Sequence, residues 1–419
     1  MKRICIITPG QLGSNPRVVK EAQTLSEHGY RVDVIATKVA DFVEPRDQAV
    51  LAQAKYSVHR ISFSHPLRRR MCRARQLIAR QLWGCFPSTQ LAIEAQSFMS
   101  RRLINAALAT PADLYIAHYV AALPAAVAAA RRHGAVYAFD AEDFHLGDLP
   151  EAPEHIRARR LIESIESRYL PHAAYVSAAS PGIANAYTDR YAISPPVVIL
   201  NTFSKTLSAS FASSPDSHMR APSVYWFSQT IGPCRGLEGA VDAIAQAQSA
   251  PHLHLRGTPS KGYAEMLRAR AFALGVGNRL HIHEPGKPDE MVAMASLYDV
   301  GLVGETRTTF SRSIALTNKQ FTYLLAGLPA IMSDLPAHKA YAAEAEGAAF
   351  LYRSEDARSL SEALDALFVD RTRLAAAKRR AHLLGQSKFN WEAEAPKLLR
   401  CVERALARFN HTTPTNGVL

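Results

Sequence analysis

The sequence predicts an α/β chain made of two doubly wound domains, and three observations carry that prediction. The chain has 419 residues, more than one hydrophobic core usually organises. Short apolar runs alternate with helical patterns almost throughout, as parallel sheets flanked by helices require. From Ser204 to Ser223 this alternation lapses, and Ser, Ala and Pro dominate, which marks a linker. The expected plan is a first domain over 1–205, a linker over 206–222, a second domain over 223–390 and a C-terminal helix and tail over 391–419. A hydrophobic content of 48% can fill two cores.

The elements follow in order. Ile4 to Thr8 is an apolar run and reads as a buried strand. Pro9 to Pro16 is a loop, and Arg17 to Gly29 has helical spacing. Tyr30 to Ala36 is the next strand. Asp113–His118 is a strand ending in a polar residue, followed by an alanine-rich helix over Ala121–Arg132. Ala135–Asp140 is a strand that runs into Ala141-Glu-Asp-Phe-His145. Ile156–Tyr169 is a charged helix, Ala174–Ala179 a strand, and Val197–Leu200 another. After the linker, Val224 restarts the alternation. Strands at His252–Arg256, Arg279–His283 and Val300–Val303 are separated by helices at Ala264–Leu274 and Met291–Leu297. A helix over Lys319–Ala326 is closed by Gly327-Leu-Pro329, and the strand Ala330–Met332 follows. Trp391 to Phe409 is a long final helix.

Composition narrows the function classes. No apolar run approaches the roughly 18 residues needed to span a bilayer. The start, MKRICIITPG, reads as a strand rather than a signal peptide, because its apolar stretch is too short. The five cysteines (Cys5, Cys72, Cys85, Cys234 and Cys401) are scattered, with no metal-ligand spacing, and point to a reducing, cytoplasmic compartment. The formal net charge is +12, and it is concentrated. Between Arg60 and Arg102 stand nine arginines and one acid, Glu94, so 9 − 1 = +8 falls there. Within residues 60–102, LRRRMCRARQLIARQLWGCF mixes Arg with apolar residues. One reading is an amphipathic helix on an anionic membrane surface, peripheral on its inner face. The other is a solvated helix face. No nucleic-acid motif accompanies the charge, so no nucleic-acid partner is expected.

Active sites of open α/β sheets lie beyond the carboxyl ends of the strands. His118, Asp140, Glu142, Asp143 and His145 hold such places in the first domain. Ser228, Arg235, Glu305, Asn318 and Lys319 hold them in the second. Thr317, Asn318 and Lys319 stand at a helix start, where free N–H groups and a cation suit a phosphate, or where a hydroxyl simply caps the helix. Gly10 and Gly13 bracket a loop, but no G-x-G-x-x-G opens the following helix, which argues against a nicotinamide or flavin enzyme. The acidic edge Asp140, Glu142 and Asp143 suits proton transfer or sugar hydroxyls, and equally suits helix capping.

Three strings share a resemblance. Asn15-Pro-Arg-Val-Val-Lys-Glu-Ala22 with Gly29-Tyr30, Tyr225-Trp-Phe-Ser-Gln-Thr-Ile-Gly-Pro-Cys-Arg-Gly-Leu-Glu238, and Asn318-Lys-Gln-Phe-Thr-Tyr-Leu-Leu-Ala-Gly-Leu-Pro329 resemble family-4-like glycosyltransferases of the GT-B fold. The resemblance implies two Rossmann-like domains facing a central cleft, with the C-terminal helix crossing back to the first. It implies transfer of a sugar from a nucleotide sugar with retention of configuration; the basic segment and the lack of a spanning run point to a lipid-linked or polysaccharide acceptor. The nucleotide sugar is a co-substrate, and no other cofactor is expected. No metal is expected either, since no Asp-x-Asp pair suits a diphosphate-bound cation and Arg and Lys can neutralise the charge. Catalytic candidates are His118, Asp140, Glu142 and Glu305. Donor-binding candidates are Gly13, Ser228, Arg235, Asn318, Lys319 and Thr322. One departure stands out. Many relatives carry two glutamates eight positions apart, where this chain has Ile314 and Thr322; Glu305 is either a substitute acid or an exposed loop residue. A sugar-nucleotide epimerase of the same fold, or a non-catalytic binding protein, are the alternatives.

Overall fold

A computed structural model describes residues 1–208 and 221–412. Most of the predicted 206–222 linker and the end of the tail lie outside the described residues. The chain divides into two compact units, Met1–Ile199 with Ala395–Leu419, and Leu200–Glu394.

The first unit holds a seven-stranded sheet. Its strands are β1 (Arg3–Ile7), β2 (Arg31–Lys38), β3 (Ser57–Ser62), β4 (Leu114–His118), β5 (Val136–Ala141), β6 (Val176–Ala178) and β7 (Val197–Val198). Their order is β3-β2-β1-β4-β5-β6-β7, and every pairing is parallel. The helices are α1 (Pro16–Glu27), α2 (Glu44–Gln53), α3 (Pro66–Cys85), α4 (Thr89–Gln96), α5 (Ser100–Leu108), α6 (Leu123–His133), α7 (Ile156–Tyr169) and α8 (Pro181–Tyr191). β1 is buried from Ile4 to Ile7, as a central parallel strand covered on both faces must be. α1 starts where Asn15 accepts the Val18 N–H at 3.2 Å and Pro16 takes the first turn.

The second unit repeats the plan with six strands: β8 (Ser223–Ile231), β9 (His252–Pro259), β10 (Leu280–His283), β11 (Val300–Val303), β12 (Ala330–Ser333) and β13 (Ala349–Tyr352). Their order is β10-β9-β8-β11-β12-β13, again all parallel. Its helices are α9 (Leu237–Gln246), α10 (Tyr263–Ala273), α11 (Met291–Ala295), α12 (Phe310–Ile314), α13 (Asn318–Leu325), α14 (Pro336–Glu344), α15 (Ala357–Phe368) and α16 (Arg371–Ser387). The last helix, α17 (Trp391–Thr412), begins in the second unit, and from Ala395 it belongs to the first. Among the described residues no helix is long and apolar enough to cross a membrane.

In each sheet the chain reverses its direction of winding once, between β1 and β4 and between β8 and β11. Those switch points open a crevice at the strand ends. At or just beyond those ends stand Thr8 and His118 in the first unit, and the 232–236 loop and Glu305 in the second. Sequence patterning did not mark β3 or β13. Their burial patterns are mixed, because edge strands lack cover on one side.

Candidate functional site

In the first unit the switch point is filled by a buried ionic cluster. Arg17, on the first turn of α1, makes a two-pronged pair with Asp140 of β5, at 2.6 Å from Nε and 2.7 Å from Nη2. Its Nη1 donates to the Ile199 carbonyl at 2.7 Å. Ser177 donates at 2.5 Å to Asp140 Oδ1, the oxygen that also accepts from Arg17 Nη2. Glu21, one turn along α1, lies 3.2 Å from His118 Nε2, and Glu142 lies 3.1 Å from His118 Nδ1. Asn15 Nδ2 donates to the same Glu142 oxygen at 3.2 Å. Arg17, Glu21, His118 and Asp140 are essentially inaccessible to water; Glu142 alone keeps an exposed edge, 13% of its side chain.

Burial opposes charge on every member, so partners decide each state. Desolvation depresses His118, but Glu21 and Asp140 outweigh it and the ring is pushed up to about 10. Desolvation raises Asp140, but Arg17 and His118 hold it below the usual carboxylate range. Burial and the nearby Asp140 charge push Glu21 up. Both nitrogens of His118 therefore face carboxylates, and Asp140 is fully engaged. The member with an edge to solvent is Glu142. Arg17 and Glu21 were read from the sequence only as helix. Their spacing of four, on the face shared with the buried Val18, Ala22 and Leu25, was the signal.

Beside this cluster lies an open cavity of about 290 Å³, lined by Pro9, Tyr119, Val120, His145, Asp148 and Leu149 among others. Tyr119 follows His118 directly and takes φ 66°, which is strained for a residue with a side chain. His145 packs inward on Glu166 and Tyr187 at 3.2 and 2.8 Å. Gly13 is spent on packing: its N–H donates to the buried Asp47 at 2.7 Å, and a Cβ there would stand 2.6 Å from Arg46.

In the second unit the switch point carries a cluster of opposite balance. Glu305, just past β11, accepts Lys319 Nζ at 2.7 Å on one oxygen and Arg312 Nη1 at 3.2 Å on the other. Burial raises Glu305, but Lys319 foremost outweighs it and keeps it ionised. Burial pulls Lys319 below the usual lysine range although Glu305 pulls the other way. Lys319 Nζ also lies 5.4 Å from the centre of the Trp226 ring. Ser333 donates to the Glu305 carbonyl at 2.7 Å and fixes its backbone.

Thr317 is the N-cap of α13, but its hydroxyl bonds Gln320 Oε1 at 3.0 Å, so no side chain caps the helix. Asn318 is half-buried at the first helical position. Thr322 lies buried, with its hydroxyl donating to the Asn318 carbonyl at 3.1 Å. Arg235 sits in the 232–236 loop close enough to act on both Glu305 and Lys319. Its guanidinium has no hydrogen-bond or salt-bridge partner among the described residues. Gly236 takes φ 67°, and a Cβ there would come 2.2 Å from the Gly304 carbonyl, so only glycine brings this loop against the end of β11. Ser228 falls within β8, not after it, beside a register irregularity between Phe227 and Thr230. Arg312 was not singled out in the sequence; it lies on the short α12, which had no periodicity to reveal it.

Residues 13–202 match the family model described as the glycosyl transferase 4-like domain. No curated protein sequence matches the chain. Among solved structures it is similar to Anabaena HepE, crystallised with UDP-glucose: 17% identity, 96% of this chain and 100% of that one, TM-score 0.70. It is also similar to sucrose-phosphate synthase from Thermosynechococcus elongatus (16% identity, 97% and 100% coverage, TM-score 0.73). A putative UDP-N-acetylglucosamine 2-epimerase from Listeria monocytogenes shares the architecture too (13%, 98% and 97%, TM-score 0.59). The fold is therefore GT-B. Residues 13–202, which make up most of the first unit, are similar to the glycosyl transferase 4-like domain.

Proposed function

We propose that this protein transfers a sugar from a nucleoside diphosphate sugar to a saccharide acceptor, without a metal ion. The observation that carries this is the surplus of cations at the second unit's switch point: Lys319, Arg312 and Arg235 against the single Glu305. Cleavage of the sugar–phosphate bond leaves a diphosphate, and fixed cations and free N–H groups aimed at it lower the barrier. Glu305 orients Lys319 and Arg312. Arg235 binds phosphate, and the uncapped start of α13 at Asn318 adds backbone donors. These groups supply the neutralisation that a divalent cation gives elsewhere, so a chelator leaves turnover unchanged. HepE was crystallised with UDP and glucose, which makes uridine diphosphate sugars the first donors to test. Thr322 offers no carboxylate to the ribose.

In the first unit, Glu142 is the group that meets an acceptor hydroxyl, oriented by His118 and Asn15. The cavity lined by Tyr119 and His145 takes the saccharide. Retention of configuration rests on the family resemblance; the anomeric proton signal of the product tests it.

A lipid-linked acceptor is favoured by α3. Of its 20 residues only Ala79 is buried, while Leu67, Met71, Ile78 and Leu82 stand exposed at helical spacing beside Arg68, Arg70 and Arg73. Such a face suits an anionic membrane surface at the cytoplasmic side. Replacing Arg68, Arg69 and Arg70 by Ser should weaken binding to phosphatidylserine vesicles at low salt, by about 1 kcal/mol per charge. Equal binding would leave α3 as solvated surface.

The direct test of the donor site is thermal denaturation with nucleoside diphosphates. A ligand at a hundredfold excess over its Kd adds about 2.7 kcal/mol of apparent stability. A selective rise with one nucleotide family supports the assignment, and no rise with any of them refutes it. The absence of carboxylates at Ile314 and Thr322 favours a second reading, an epimerase or a binding protein. Nucleotide released without acceptor consumption would indicate the first, and binding without turnover the second.

A further inference from the structure

Away from the switch points, the edge of the second unit's sheet carries four histidines. In β9 the pattern His252-Leu-His254 alternates, and in β10 so does His281-Ile-His283. Because strand side chains alternate between faces, each pair points to one side. Leu253 and Leu255 go to the core on the other side, and Leu280 and Ile282 pack against it. The parallel register sets His254 opposite His281. All four rings thus meet on one face of the edge pair, half-buried.

Their geometry is close. His252 Nδ1 lies 2.9 Å from His281 Nε2, and His254 Nδ1 lies 3.0 Å from His283 Nε2. The His254 and His281 rings stack with centroids 4.4 Å apart. One nitrogen from each of His252, His254 and His281 falls within 4.8 Å of the other two. Tyr298 braces the group, 4.8 Å from His254 and stacked 4.4 Å over Tyr225. Arg256, the nearest cation in the row, is tied to the Tyr225 hydroxyl at 3.1 Å and the Glu284 carbonyl at 2.7 Å.

We propose that His252, His254, His281 and His283 form a binding site for a divalent transition-metal ion. Imidazole donors suit zinc, nickel or copper, whereas magnesium and calcium take oxygen ligands. Two nitrogens bound at about 2.0–2.1 Å to one tetrahedral ion stand about 3.4 Å apart. Small χ rotations of rings already this close therefore bring three or four lone pairs onto one point. The ion displaces the N–H···N bonds, so each liganding nitrogen must be deprotonated. The site belongs to neither ionic cluster described above. An ion here would pin the edge strand β10 to β9.

The test is titration of the full chain, without any histidine tag, with ZnCl₂ and CoCl₂. Calorimetry should give one tight equivalent of Zn²⁺ per chain, and Co²⁺ should give the visible absorption bands of a nitrogen-liganded ion. The His254→Asn/His281→Asn double variant should lose that equivalent, with affinity falling at least 100-fold, while its far-UV spectrum stays unchanged. Absence of a tight equivalent in the unaltered chain overturns the proposal. So does tight binding that persists in the folded double variant, because the ion would then sit elsewhere. Should that variant fail to fold, the zinc-dependent shift of the four histidines' ring-proton resonances decides on the unaltered chain. Shifts confined to other histidines overturn the proposal.

Discussion

The two switch points hold buried ionic clusters of opposite balance. In the first unit, Arg17 and His118 face three carboxylates, and nearly every polar atom has a partner. In the second, Lys319, Arg312 and Arg235 face one carboxylate, and Arg235 has no partner among the described residues. A cluster closed on itself holds a fold together. A cluster that leaves a cation without a partner is open to an anion.

Four experiments break or sharpen that contrast. Arg17→Met should have the largest effect, because it removes the two-pronged partner of Asp140 in a dry site. Denaturant titration should show a loss of about 3–5 kcal/mol. A loss under 1 kcal/mol would mean that the cluster contributes little to the fold. Next, Glu142→Gln should lower kcat about 100-fold or more while leaving nucleotide affinity intact. Unchanged turnover would remove Glu142 from the reaction. Arg235→Ala should then weaken nucleoside diphosphate binding by about 1–3 kcal/mol and leave unliganded stability within about 0.5 kcal/mol. A large stability loss with unaltered affinity would make Arg235 structural and erase the contrast.

The fourth experiment reads a pH slope. The folded His118 is raised to about 10, so its stabilisation is complete below its unfolded value near 6.5 and is lost as pH rises through 10. Asp140 is held low, so its share is present above about 4 and is lost as pH falls through its depressed folded value. His118→Gln should remove the slope between about pH 7 and 10. An identical slope in the variant would show that the ring is not charged in the folded state.

Much of this is legible in the sequence. The strand–helix alternation placed β1, β2, β4, β5, β9, β10, β11 and β12, because apolar periodicity is a local property. The Asn318–Pro329 string locates α13, and Asn15–Ala22 locates α1. His118, Asp140, Glu142, Glu305 and Lys319 were found as strand-end or helix-start polar residues. What was missed has a physical pattern. Arg17 and Glu21 read as ordinary helix charges, since nothing local says that α1 is covered on that face. Arg312 lies on a helix of five residues, too short to show a period. Gly13 resembled a loop glycine, and only the approach of Arg46 and Asp47 shows why it must be glycine.

The sequence by itself determined the α/β class, the repetition of one plan, the helix start at Asn318 and the strongly basic stretch before Arg102. These depend on spacing and composition along the chain and need no contact between distant residues. Tertiary structure decided which charges face which. Asp140 meets Arg17 across 123 positions, His118 meets Glu21 across 97, and His254 meets His283 across 29. Pairings at such separations are set by strand order and register. A buried charge takes its ionisation state from the partner that the fold brings to it, and no local pattern names that partner.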